Sequence, residues 1–314
     1  MNGGRPWAVP LLVVAIGLVL PNFFGQYGNF IFASILIYSL VALSLTILIG
    51  YGGQISIGHA GFWALGAYGS ALVVTKLGAP FALGVLSGGV IAASFGAIVA
   101  LPALRVQGHY LAIATLAFAL VVQQVLFEWE SLTGGRSGLS VPRPSIAGYE
   151  FASDYAYNYL LLGIVILLAW ISENFRKSHS GRALIALRMS PIAAQTAGVS
   201  RPRHIILCFV LSAFLTGISG GLYAHLIGFL STDAFTLTTS LAFLTMAVIG
   251  GVRSYLGAVL GAIYLTLAPE VFRQLKDAEM VVYGTSLILC LAFLPSGLVS
   301  LPERLSTLRR RGRL

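Results

Sequence analysis

Polar side chains are costly inside hydrocarbon, so in an apolar chain their positions carry the first functional information. The stretch LIGYGGQISIGHAGFWALGAYGSALV, residues 48–73, sets Gln54, Ser56 and His59 among seven glycines. An amide, a hydroxyl and an imidazole at that spacing suit hydrogen bonding to a polar solute. They also suit an ordinary turn between Gly52 and Gly58, and both readings stand at this stage. Gln123, Gln124, Ser212, Thr216, Thr239 and Thr245 fall inside or beside other apolar runs. With the first three they are the candidates for a polar path, and each also fits a hydrogen bond between helices. No nucleophile–base pair or carboxylate dyad is apparent, so no catalytic residue is assigned. The histidines show no metal-ligand spacing, and no metal or cofactor is expected. Cys208 and Cys290 lie in separate apolar runs and read as small core residues.

Composition determines what must position these groups. Of 314 residues, 57% are hydrophobic and 9% are charged, whereas a soluble domain carries about 25% charged residues. The apolar runs lack period-2 alternation, which argues against a β-barrel. The expected fold is an all-α integral membrane protein of about ten transmembrane helices, each crossing taking about 20 residues. The predicted spans are 8–24, 30–50, 60–76, 80–104, 110–127, 157–175, 205–226, 237–252, 255–272 and 280–298. The third and eighth either cross fully or are partly re-entrant at their glycines. Arg5 precedes the first run, but Pro10, Pro21 and Asn22 interrupt it and no small-x-small site follows, so it is expected to be a retained helix.

With the N-terminus inside, the inner segments hold Arg5, Arg105, Arg176, Lys177, Arg182, Arg188, Arg201, Arg203, Arg253, Arg304, Arg309, Arg310, Arg311 and Arg313, 14 of the 19 cationic residues. The outer segments hold Lys76, Arg136, Arg143, Arg273 and Lys276. The positive-inside rule then places both termini in the cytoplasm. The net charge of +9 is spread between spans and at the C-terminus, not gathered in an aromatic-rich basic domain, so no nucleic-acid partner is expected. Gly58, Gly61, Gly66 and Gly69 are predicted to let helix backbones approach closely, since nothing hydrophobic drives helices together in lipid. GGQIS from Gly52 and GGVRS from Gly250 are each followed by Gly-Ala and a Tyr. Two parallel halves would explain the match, and so would coincidence among 36 glycines.

Two loops are long: an outer one over residues 128–156 and an inner one over 176–204. The inner loop is expected to form two short amphipathic helices broken at Pro191 and ending near Gly198. Its apolar stripe is Leu184, Leu187 and Ile192, flanked by Arg182 and Arg188, with Gly181 and Gly198 at entry and exit. Such a hairpin either lies on the bilayer face or docks into another protein.

GYGGQISIGHAGFWALGAY, LTGGRSGL with PRPSIAG, GRALIALRMSPIAAQTAGV and AVIGGVRSYLGAVLGAIY occur in that order. Together they resemble the LivM-type permease subunits of branched-chain amino acid ABC importers, over about residues 30 to 303. The resemblance implies one transmembrane permease domain over 1–314 in a bacterial cytoplasmic (inner) membrane. It implies a second homologous permease, two ABC ATPase subunits and an extracytoplasmic solute-binding protein as partners. It also implies that Gly181, Arg182, Leu184, Leu187, Arg188, Pro191 and Gly198 belong to the ATPase-coupling element. That family often has acidic residues in this element, where Ser190 and Gln195 stand here.

No G-x-x-x-x-G-K-[ST] phosphate loop is present, so ATP hydrolysis would fall to a partner. Urea, a short amide or another amino acid is the alternative cargo within the same class. An ion-coupled carrier would need ionisable groups within the membrane. The candidates are Glu173, Glu270 and His225, all near span ends.

Overall fold

The computed structural model describes residues 17–146, 149–151, 153–272, 279–293 and 297–300. The helices follow the apolar runs. They are α1 (Gln26–Leu45), α2 (His59–Leu77), α3 (Phe81–Arg105), α4 (His109–Glu128), the short α5 (Glu130–Thr133), α6 (Asp154–Lys177), α7 (His179–Met189), α8 (Pro191–Thr196), α9 (Arg201–Ile227), α10 (Leu237–Gly250), α11 (Tyr255–Phe272) and α12 (Glu279–Phe293). A π-helical segment, Thr46–Tyr51, continues α1. Local chemistry sets the ends. Ser153 accepts from the Ala156 amide at the start of α6, and left-handed Gly78 and Gly228 close α2 and α9. Two two-residue antiparallel ladders complete the fold: β1 (Leu139–Ser140) with β4 (Phe229–Leu230), and β2 (Ser145–Ile146) with β3 (Tyr149–Glu150).

Among the described residues, six helical segments are long and apolar enough to cross a membrane. They are Gln26–Tyr51, α3, α4, α6, α9 and α11, and α10 is a shorter apolar helix of 14 residues. α2 has 19 residues but is more polar, because His59, glycines and Tyr68 interrupt its apolar side chains. It lies inside the bundle with most of its residues buried, so it does not need a lipid-compatible surface. Most of the predicted first span, residues 8–24, and the terminal cations Arg5, Arg304, Arg309, Arg310, Arg311 and Arg313 lie outside the described residues, as do Arg273 and Lys276. The expected total of ten spans is therefore not fixed by the described helices.

The centre of the bundle is α9 packed on α2 and α3. At their crossing a Cβ placed on Gly66 would overlap the backbone of Gly217, and one on Gly88 would overlap the Gly66 carbonyl. Only glycine permits three backbones to meet this closely. Gly58 lies against the Thr115 carbonyl of α4, Gly61 against Ala119 of the same helix, and Gly69 against Ile91 of α3. α1 packs outside this unit, between α6, α9 and α11.

The hydrogen bonds sort the loops into two ends. At one end Arg201 Nη1 donates to the Leu104 carbonyl (3.1 Å), Tyr51 Oη to the Arg253 carbonyl (3.3 Å) and Tyr255 Oη to the Ser172 carbonyl (2.8 Å). Gly50, in the π-helical segment just before GGQIS, lies against the backbone of Val252 in GGVRS. At the other end Lys76 Nζ donates to the Ser131 carbonyl (3.0 Å), Tyr27 Oη to Glu270 (2.7 Å), and β1 pairs with β4. Arg105, Arg176, Lys177, Arg182, Arg188, Arg201, Arg203 and Arg253 belong to the first end, and Lys76, Arg136 and Arg143 to the second. The first is called the basic end below.

Candidate functional site

The polar candidates divide into three places. The first is a buried chain of hydrogen bonds at the basic end of α1, α2 and α9. Ser56 Oγ and His59 Nδ1 are 3.1 Å apart, and His59 Nε2 and Ser212 Oγ 3.0 Å. Ser212 Oγ donates to the Ser44 carbonyl (3.1 Å), and the Ser44 and Thr216 hydroxyls are 2.7 Å apart. The Ser212 proton is committed to that carbonyl, so its oxygen must accept from His59 Nε2–H. A neutral ring with its proton on Nε2 then accepts from Ser56 at Nδ1, and every partner is satisfied. All five side chains are buried. Ser56, His59, Ser212 and Thr216 are thus brought together as a closed clamp between helices. Ser44, the fifth member, was not singled out from the sequence, since a serine near the end of an apolar run gives no sign of a partner in α9.

The second place is the opposite end. A cleft of about 490 Å³ lies between α4 and the 3-10 turn Thr232–Phe235. Leu120, Val121, Gln123, Gln124, Phe127, Thr232 and Asp233 line it. Gln124 donates to Glu128 (2.9 Å), and Ser231 Oγ donates to Asp233 (3.2 Å). The outer loop is tied to the bundle nearby. His225 Nδ1 contacts the Pro142 carbonyl (2.9 Å), His225 Nε2 contacts Ser70 Oγ (3.2 Å), and Arg143 pairs with Asp154 at 3.3 Å.

Gln54, Thr239 and Thr245 join neither group. Gln54 bonds the Gly52 carbonyl (3.0 Å) in the loop after α1, the local turn that sequence left open. Thr239 donates to the Ala234 carbonyl (2.9 Å), and Thr245 donates back to Leu241 in its own helix (2.7 Å). Short hydroxyl side chains find local carbonyls first, so both threonines are satisfied within a turn or so of their own positions. Cys208 is buried, with Sγ 3.5 Å from the Ile47 carbonyl; the side chain of Cys290 lies outside those described.

The third place is the hairpin of α7 and α8 at the basic end. The break falls at Ser190, whose Oγ accepts from the Ala193 amide, with Pro191 at the first position of α8. Gly198 ends it at φ +86°. Gly181 sits where any Cβ would overlap the Phe175 carbonyl. The expected stripe is divided. Leu184 and Leu187 are 1% and 7% exposed because α7 packs back on α6 and α9, whereas Met189 and Ile192 are 84% and 79% exposed at the bend. Arg182 bonds the Lys177 carbonyl at 2.5 Å. Arg188 donates to the Gly50 carbonyl in the π-helical segment and lies along Gly53. Partial burial and the nearby Arg253 lower its pKa from the usual arginine value.

Glu173 pairs with Arg176 (2.5 Å) and Lys177 (3.1 Å), and Glu270 accepts from Tyr27, both at helix ends. None of these carboxylates lies mid-bundle.

A bundle of apolar helices with one cationic end, an open cleft at the other and a structured hairpin outside the spans defines a multi-pass membrane protein of the transport class. The family model described as branched-chain amino acid transport system / permease component matches residues 29–291, and the chain belongs to this family. It is 32% identical over 317 residues to the high-affinity branched-chain amino acid transport system permease protein LivM of Escherichia coli K12, covering 93% of this chain and 74% of that protein. It is 26% identical to the permease protein LivH of the same organism, covering 85% and 92%. It is 27% identical to the autoinducer 2 import system permease protein LsrC of Klebsiella pneumoniae, covering 82% and 74%. No solved structure matches.

Proposed function

We propose that this chain is one of two permease subunits of an ATP-driven importer that carries branched-chain amino acids across the bacterial cytoplasmic membrane. The observation that carries the reading is the exposed Met189–Ile192 bend of a structured hairpin at the basic end, on a chain with no phosphate-binding loop. Two ATPase subunits would bury that bend and drive the permease through it. The positive-inside rule puts the same end in the cytoplasm. A solute-binding protein would deliver cargo at the opposite end, where the outer loop and the cleft lie. One chain aligning with both LivM and LivH fits a partner permease of related but different sequence. Leucine, isoleucine or valine is preferred as cargo over other solutes because LivM is nearer in identity than LsrC.

The test is uptake of labelled leucine into proteoliposomes holding this chain, the partner permease and the ATPases, with the loaded binding protein outside. Accumulation should require internal-facing ATP hydrolysis. Equal uptake without ATP, driven by a proton or sodium gradient, would replace this reading with an ion-coupled carrier.

A further inference from the structure

Of the four buried side-chain polar atoms with no hydrogen-bond partner among the described residues, two pack beside the turn that borders the outer cleft: Trp63 Nε1 and Tyr68 Oη. Both belong to α2, and both side chains are 1% exposed. A buried donor without a partner loses the full cost of its desolvation, so two on one helix call for a reason. The ring of Phe235 touches both, with its centroid 5.2 Å from Trp63 and 5.8 Å from Tyr68. Tyr38 and Phe243 complete an aromatic wall around Trp63 at 6.0 and 5.1 Å. Phe235 is the last residue of the 3-10 turn Thr232–Phe235, and that turn also supplies Thr232 and Asp233 to the cleft. Asp233 is exposed, forms no ion pair among the described residues, and stands in the same turn as Phe235, whose ring packs on Tyr68.

We propose that Phe235 plugs a solute site in which Trp63 Nε1–H and Tyr68 Oη–H receive a carboxylate, Asp233 receives an ammonium group, and the aromatic wall receives an apolar side chain. The ligand class is a zwitterionic amino acid with a hydrocarbon side chain. The inference rests on the importer reading and adds the residues that would recognise its cargo. Indole N–H is a donor only, so it selects an anionic or carbonyl oxygen. The unpaired carboxylate selects a cation. The Phe235 ring packs against both donors and belongs to the same turn as Asp233, so it must move for one solute to reach all three. The Thr232–Phe235 turn follows β4, which is paired with β1 of the outer loop, so whatever binds that loop has a backbone connection to the plug.

The test uses the complete importer in proteoliposomes with labelled leucine. Tyr68→Phe deletes the hydroxyl and keeps the ring, whereas Trp63→Phe deletes the N–H together with part of the indole; the double variant should lower leucine uptake at least tenfold. The single variant Tyr68→Phe should be as stable as the wild type or more so, since it removes an unsatisfied buried hydroxyl and leaves the ring in place; reduced uptake in this variant therefore reads the site and not the fold. Asp233→Asn should lower uptake about tenfold, and Asp233→Glu should restore part of it. The concentration of loaded binding protein that half-stimulates ATP hydrolysis should stay constant throughout. Unaltered uptake in the double variant and in Asp233→Asn, beside a working wild-type complex, overturns the site. A shift in half-stimulation for Asp233→Asn would make that residue a docking contact and also overturns it. Failure of the wild-type complex to take up leucine would instead remove the importer reading beneath both.

Discussion

At the scale of single residues, the clamp of Ser56, His59, Ser212, Ser44 and Thr216 leaves no spare bond. Ser212→Ala would strip His59 Nε2–H of its acceptor in a buried site. The expected loss is about 1–3 kcal/mol, seen as a lower unfolding temperature of the purified protein in detergent. A change smaller than about 0.5 kcal/mol, the usual size for an unpartnered surface position, would mean the imidazole has another acceptor. Ser56, His59, Ser212 and Thr216 were legible as polar candidates, and Ser44 was not; which of them pair was not legible. Ser56 and His59 announce themselves because they are polar and close in an apolar stretch. Their partner Ser212 in α9 stood out as polar too, but it is 153 residues from His59, so nothing in the sequence marks the pairing. Trp63 and Tyr68 were missed for the opposite reason: an aromatic in an apolar helix reads as core, and only packing reveals that its polar atom is unmet.

At the scale of elements, the hairpin of α7 and α8 was legible in outline because Pro191 and Gly198 punctuate it. Which side of α7 is already used within the chain depends on α6 and α9, so the sequence stripe mixed buried and free residues. The consequence for mutagenesis is direct. Leu187→Asp would bury a charge inside the permease and lower its stability whatever docks there. Ile192→Asp and Met189→Asp act on the exposed bend. They should leave the unfolding temperature unchanged and abolish co-purification with the ATPases; retained co-purification in the double variant would move the contact elsewhere. Arg188→Ala should behave differently again. It frees the hairpin from the Gly50 carbonyl of the π-helical segment, where an opened helical ladder offers an acceptor. The ATPases should remain bound, while leucine carried per ATP hydrolysed falls severalfold. A normal ratio would show that motion does not pass through this bond.

At the scale of the molecule, the loops of one end are knitted to one another and those of the other end likewise, so sidedness is a single choice for the whole chain. Cysteines at Ser137, exposed beside α5, and at His179, exposed at the start of α7, should react with an impermeant maleimide from opposite faces of sealed membranes. Reaction from the same face would break the alternation of helices. The predicted runs from 30–50 to 255–272 fall within a few residues of the described helices, because an unbroken apolar length marks where a helix can run. They said nothing of α2's interior position, since its glycines and aromatics lower hydropathy for the same reason that they let it sit at the centre.

The meeting of Gly66, Gly88 and Gly217 divides the molecule mechanically. Where backbones touch without intervening side chains there is no rotamer to change and no compliance to draw on, so α2, α3 and α9 must travel as one stiff block. Alternating access then has to be a displacement along the seams where bulkier side chains meet, between that block and α10 with α11, or at the plug above it. Distances between spin labels on α2 and α9 should therefore stay fixed through a cycle of ATP binding and hydrolysis while those between α9 and α11 change. A single methyl group at position 66 would act as a wedge in a joint that cannot give.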